Sequence, residues 1–149
     1  RQGSVHVVYG SDDLDAVVDL AKGGSALTIS GRMTGELSPS ALASADIDDD
    51  GADDLLVGSG LANAADDRPG SGVAYVFTEI ASLPARIDLS EEDAPVSVFG
   101  GAADDRLGGA IDGGSISDGE RGLVVLATQA TAGNDGNNSG VVYVIPLEK

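Results

Sequence analysis

Three stretches of this chain are versions of one apolar strand: "GSVHVVYG" (Gly3–Gly10), "GVAYVFTE" (Gly72–Glu79) and "GVVYVIPL" (Gly140–Leu147). His6, Tyr75 and Tyr143 fall in register, 69 and 68 residues apart. The intervening segments match too. "AVVDL" ending at Leu20 answers "ARIDL" ending at Leu89, "ELSPSALASA" (Glu36–Ala45) answers "DRLGGAIDGG" (Asp105–Gly114), and "DDLLVGS" (Asp53–Ser59) answers "RGLVVLA" (Arg121–Ala127). A period of this length makes each unit one supersecondary element that buries its apolar surface only by stacking on its neighbours.

Within each unit, short runs rich in Val, Ile and Leu are bounded by Gly, Asp, Asn and Ser, which predicts strands rather than helices. The first full unit is expected to hold four, near 37–45, 54–58, 72–78 and 85–89. The next supplies three, near 107–112, 122–127 and 140–145, and the start of the chain two more, near 3–9 and 15–20. Residues 1–20 therefore read as the last strands of a preceding unit, 21–89 as one repeat, and 90–149 as a second repeat that stops before its fourth strand.

Leu55, Leu56 and Val57, then Leu123 to Leu126, then Val141 to Val144, are apolar at consecutive positions, so both faces of the sheet are expected to be covered. A parallel α/β fold also has two-sided strands, but the Gly- and Asp-rich connections cannot form its helical crossovers. The expected fold is all-β: four-stranded antiparallel blades of a β-propeller. Rings close at about four to eight blades, so two and a part are expected to be a fragment of a larger propeller, or to close by self-association.

Composition narrows the partners. The net charge is −17, with eight basic residues and no Lys/Arg cluster, which argues against nucleic acid and acidic lipid. No apolar run approaches the ~20 residues of a membrane span, and no signal peptide is visible. Without cysteine there is neither a disulfide nor a thiolate metal site. Cations, basic partners or a salty external medium suit this surface.

The charge is densest in "DIDDDGADD" (Asp46–Asp54), six aspartates around Gly51. Two unit charges about 4 Å apart repel by ~1 kcal/mol even in water, so such a loop resists closing without a cation. Counted from Asp46, carboxylates stand at positions 1, 3, 5 and 9: Asp46, Asp48, Asp50 and Asp54. Gly51 supplies the sharp turn at position 6, and the carbonyl of Ala52 at position 7 is expected to point inward. Alternate oxygens around one centre suit Ca²⁺, with its six to eight flexible ligands, better than the stricter Mg²⁺. Asp49 and Asp53 fall outside the set and are expected to be solvated. An EF-hand needs a bidentate Glu at position 12 and flanking helices; position 12 is Val57, inside a strand.

These residues resemble the FG-GAP repeats of integrin α-subunit-like β-propellers, where a Phe-Gly strand leads to a DxDxDGxxD calcium loop and then a "GxVYVF" strand. "ELSPSALASADIDDDGADDLLVGSG" with "GVAYVFTE" is similar to one whole repeat, and "DRLGGAI…SDGERGLVVLA…GVVYVI" to a second. The resemblance covers about nine tenths of the chain and implies Ca²⁺ ligation by Asp46, Asp48, Asp50 and Asp54 with the Ala52 carbonyl. Leu37-Ser38 and Leu107-Gly108 stand where the name-giving Phe-Gly would be, and "VGSG" (Val57–Gly60) replaces Gly-Ala-Pro. Aligning Asp118-Gly119 on Asp50-Gly51 puts Gly114, Ile116 and Gly122 in ligand places. The second loop is thus degenerate, and Arg121 is expected to neutralise Asp118 or Glu120 within it.

Nothing else carries visible chemistry. His6 aligns with two tyrosines and reads as a packed strand position. No G-x-S-x-G or second His accompanies it, so nucleophilic catalysis has no machinery. Asp66-Asp67, Glu91-Glu92 and Asp104-Asp105 read as solvated turns. Asn137 opens an N-x-S sequon, and 63–72 and 133–140 are polar connections suited to partner binding. The expected function is a non-enzymatic, calcium-stabilised binding or adhesion module for a protein or glycan ligand, extracellular or at the cell surface. The alternatives are an accessory propeller of an extracellular hydrolase and a calcium-responsive interaction switch.

Overall fold

A computed structural model describes residues 3–32, 36–37, 41–63, 67–117, 119–131 and 138–147. It is all-β, with ten strands among the described residues in three mostly antiparallel sheets. The strands are β1 (Ser4–Val7), β2 (Leu27–Ser30), β3 (Ala41–Ala45), β4 (Asp54–Ser59), β5 (Val73–Phe77), β6 (Arg86–Asp88), β7 (Val96–Phe99), β8 (Leu107–Ser117), β9 (Glu120–Ala127) and β10 (Val141–Pro146). The first sheet runs β1-β2-β6, the second β3-β4-β5-β7 and the third β10-β9-β8.

The sequence repeat is a repeat of strand register. Ser4 lies opposite Ser30 as Val73 lies opposite Phe99, an offset of 69 residues. Leu55 lies opposite Phe77 as Leu123 lies opposite Ile145, an offset of 68. The interior repeats in the same way. Val5, Val7, Leu27 and Ile29 of the first sheet meet Leu55, Val57, Val73 and Phe77 of the second in one core. Their equivalents Ala74, Val76, Val96 and Val98 meet Leu123, Val125, Val141 and Ile145 of the third in another. The second sheet is thus covered on both faces, as its consecutive apolar residues predicted. Burying such a side chain stabilises by about 1.5–3 kcal/mol, so β4 and β5, with Leu56, Val57, Val73 and Val76 all fully buried, anchor the molecule.

Two strands differ from expectation. The fourth strand of the second sheet is β7, not 85–89. Residues 86–88 form β6, which leaves that sheet and pairs parallel with β2 at the edge of the first. Ile87 and Leu89 are buried there against the first core, which draws the segment across. Its equivalent at 15–20 forms no strand: Asp19 caps a 3-10 turn at Leu20–Lys22, and Leu14, Val17 and Leu20 are exposed. The first-sheet counterpart of β7 is β2, at 27–30. The unit boundaries expected at 20 and 89 accordingly precede each unit's last strand.

Smaller differences follow from packing. The expected strand at 37–45 is described as β3 from Ala41, and residues 38–40 lie outside the described residues. His6 is exposed, on a polar face where its ring meets the hydroxyls of Ser4, Ser25 and Thr28 at 3.0–3.4 Å. Only its equivalent Tyr75 is fully buried, because only the second sheet has neighbours on both sides. Asp105 is buried too, with its Oδ2 accepting from the Ala102 N–H at 2.8 Å, so it is a turn cap rather than a solvated charge. Asp66, Asp118, Asn137 and much of 133–140 lie outside the described residues.

Candidate metal centre

The β3-β4 hairpin pairs as far as Ala45 with Asp54, and the acidic bend is what connects them. Aspartates suit such a bend because their short side chains bond to backbone N–H groups a few residues on. The Asp49 N–H donates to Asp46 Oδ1 at 2.7 Å, the Asp50 N–H to Asp48 Oδ1 at 3.2 Å, and the Ala52 N–H to Asp50 Oδ1 at 2.7 Å. Gly51 takes φ 91°, as the sharp turn requires, and Asp49 is left-handed as well at φ 63°.

These turns bring three of the expected ligands together. Asp46, Asp48 and Asp50 each offer an oxygen within 4.8 Å of the other two, a group that can hold one metal ion. Oxygens about 2.3–2.6 Å from a common Ca²⁺ are at most about 5 Å apart, and a carboxylate oxygen bonded to an N–H keeps further lone-pair capacity.

Asp54 takes a different place. It is buried at 1% exposure beneath the bend, where its Oδ2 accepts from the Ile47 N–H at 2.9 Å. Burial pushes its carboxyl above the ordinary value, and the charges of Asp48 and Asp50 add to the shift; hydrogen bonds from the Ile47 and Asp48 backbone oppose it. Ala52 is exposed, and its described bond is the N–H donation to Asp50.

Asp49 and Asp53 are exposed, as expected, and each also holds a side-chain partner. Asp53 Oδ2 accepts from Ser44 Oγ at 3.2 Å. Asp49 Oδ1 accepts from Arg121 Nη2 at 2.6 Å, while Arg121 Nη1 donates to the Asp46 carbonyl at 2.5 Å. Arg121, expected to neutralise Asp118 or Glu120, thus reaches the first unit's bend; Asp118 lies outside the described residues. One signal pointed to this contact. Arg121 is the equivalent of Asp53, and sheets stacked in register set equivalent hairpins side by side.

The second unit's hairpin is built differently. Pairing continues to Ser115 with Arg121 and Ser117 with Glu120, so the places aligned with ligands lie within strands. Gly119, which precedes Glu120, takes φ 78°, a left-handed conformation that suits glycine.

A second buried polar pair escaped the sequence reading. Tyr75 donates its hydroxyl to Glu36, itself only 2% exposed, and burial together with that bond drives the Tyr75 hydroxyl far above its ordinary value. The pair ties the loop before β3 to the centre of β5. No protein-family model matches the chain, and no curated protein matches it.

Proposed function

We propose that the chain is a calcium-stabilised segment of an FG-GAP-type β-propeller, a non-enzymatic binding or adhesion module working outside the cytosol. The observation that carries it is the convergence of Asp46, Asp48 and Asp50 in a bend between two strands of one repeat. Ca²⁺ is ligated there by these three carboxylates, and the resemblance adds Asp54 and the Ala52 carbonyl, which reach the ion only by shifting from the places they hold in this bend. Its role is structural, since it removes the repulsion that opposes closing the bend. Millimolar calcium outside cells is enough for a site of modest affinity.

The propeller reading is supported by the repeated stacking. Val142 and Val144, equivalents of the buried Ala74 and Val76, are exposed at 59% and 57% on the outer face of the third sheet. At the other end Leu14, Val17 and Leu20 are exposed, although Leu89, the equivalent of Leu20, is buried. On the second sheet, β8 lies across β3 and β4 on one face; on the other a cleft lined by Val7, Ser44, Leu55 and Ile80 occupies the corresponding place. Each of these surfaces has the shape and chemistry to receive another unit of the same kind.

Crystals grown in calcium test the site. Ion density 2.3–2.6 Å from oxygens of Asp46, Asp48, Asp50, Asp54 and Ala52 is expected. Side chains splayed into solvent around an empty bend would overturn the reading.

A further inference from the structure

We propose that Arg121 is a positioning residue that clamps the acidic bend to the third sheet and sets how far folding of the bend depends on a metal ion. The clamp itself stands on observed contacts; its effect on metal dependence rests on the calcium reading above. Arg121 is the second residue of β9, opposite Ser115, one sheet away from the bend it contacts. Its guanidinium reaches two separate groups, donating from Nη1 to the Asp46 carbonyl at 2.5 Å and from Nη2 to Asp49 Oδ1 at 2.6 Å. Asp46 Oδ2 is 3.6 Å away. Two donations in fixed geometry from a planar fork are something a lysine cannot reproduce.

The placement divides the bend into two electrostatic halves. Asp46, Asp48 and Asp50 point their oxygens toward a common centre. Asp49, left-handed at φ 63°, presents its carboxylate to the arginine instead. The guanidinium thus balances the Asp49 carboxylate closely and the edge of Asp46 at 3.6 Å, and leaves most of the charge of the converging carboxylates, that of Asp48 and Asp50 above all, to a cation. Because it is carried by the neighbouring sheet, closure of the bend and packing of the third sheet on the second reinforce each other. Without the arginine, the bend has one more unbalanced negative charge and no tether, so a metal ion has more repulsion to relieve.

Melting curves and amide exchange on wild type, Arg121→Gln, Asp49→Asn and the double variant test this, in chelator and in calcium. In chelator, Arg121→Gln is expected to melt about 2–4 °C lower, with faster exchange at 46–54 and unchanged exchange in β5. The double variant is expected to lose less than the sum of the single changes. The calcium-induced rise should be larger in Arg121→Gln than in wild type, a difference that a merely structural packing role would not produce. Additive losses, or unchanged exchange at the bend, overturn the clamp. If Arg121→Gln does not fold, the same cycle with Arg121→Lys decides, because lysine keeps the charge and loses the fork. A wild type indifferent to calcium refutes the metal reading alone, since the cycle in chelator judges the clamp independently.

Discussion

Asp54 concentrates the conflict in the acidic bend, because it is the most buried of the carboxylates there and stands within the field of Asp48 and Asp50. Its carboxyl is raised above the ordinary 3.8, by burial first and by those neighbours next. The folded protein holds this proton more tightly than the unfolded chain, so the associated stability is fully present below 3.8 and is lost as pH rises through the folded value. Asp54→Asn removes that titration. In calcium-free buffer, wild type should therefore lose melting temperature relative to Asp54→Asn as pH rises from below 3.8 toward neutrality. A difference that stays constant with pH would refute this. Asp46, Asp48 and Asp50 were legible in the sequence because alternate residues of a short acidic loop must face one centre. The burial of Asp54 and the Glu36–Tyr75 bond were not legible, since each depends on how the folded chain closes over the side chain, and the Arg121 contact had only the register of the repeat to suggest it.

At the scale of the strand, two-sided apolar runs foretold β4, β5 and β9 closely, because side chains buried on both faces leave a continuous signal. β2 and β7 were missed. "LTIS" and "VSVF" are four residues long, too short to stand out from the apolar segments preceding them. β6 was found as a strand and assigned to the wrong sheet, because pattern gives conformation without naming the partner edge. Burial separates strands that propensity treats alike. Leu56 is fully buried between the second and third sheets, whereas Leu42 on adjacent β3 is 53% exposed. Leu56→Ala should cost about 2–5 kcal/mol in denaturant unfolding, and Leu42→Ala no more than about 0.5 kcal/mol. Equal losses at the two positions would contradict the layered packing.

Across the whole molecule, two interlayer cores are built from equivalent residues, so one packing solution is used twice. The acidic bend sits at the turn of the sheet that joins those cores, which links its closure to global stability. A metal that binds the folded bend and not the unfolded chain stabilises by RT ln(1 + [L]/Kd), about 2.7 kcal/mol at a hundredfold excess over Kd. The most direct test is thermal unfolding of wild type and Asp50→Ala in calcium, in magnesium and in chelator. The account predicts a rise in melting temperature with calcium, a smaller one with magnesium, and no calcium-dependent rise in Asp50→Ala. Identical melting of the wild type in all three conditions would contradict it.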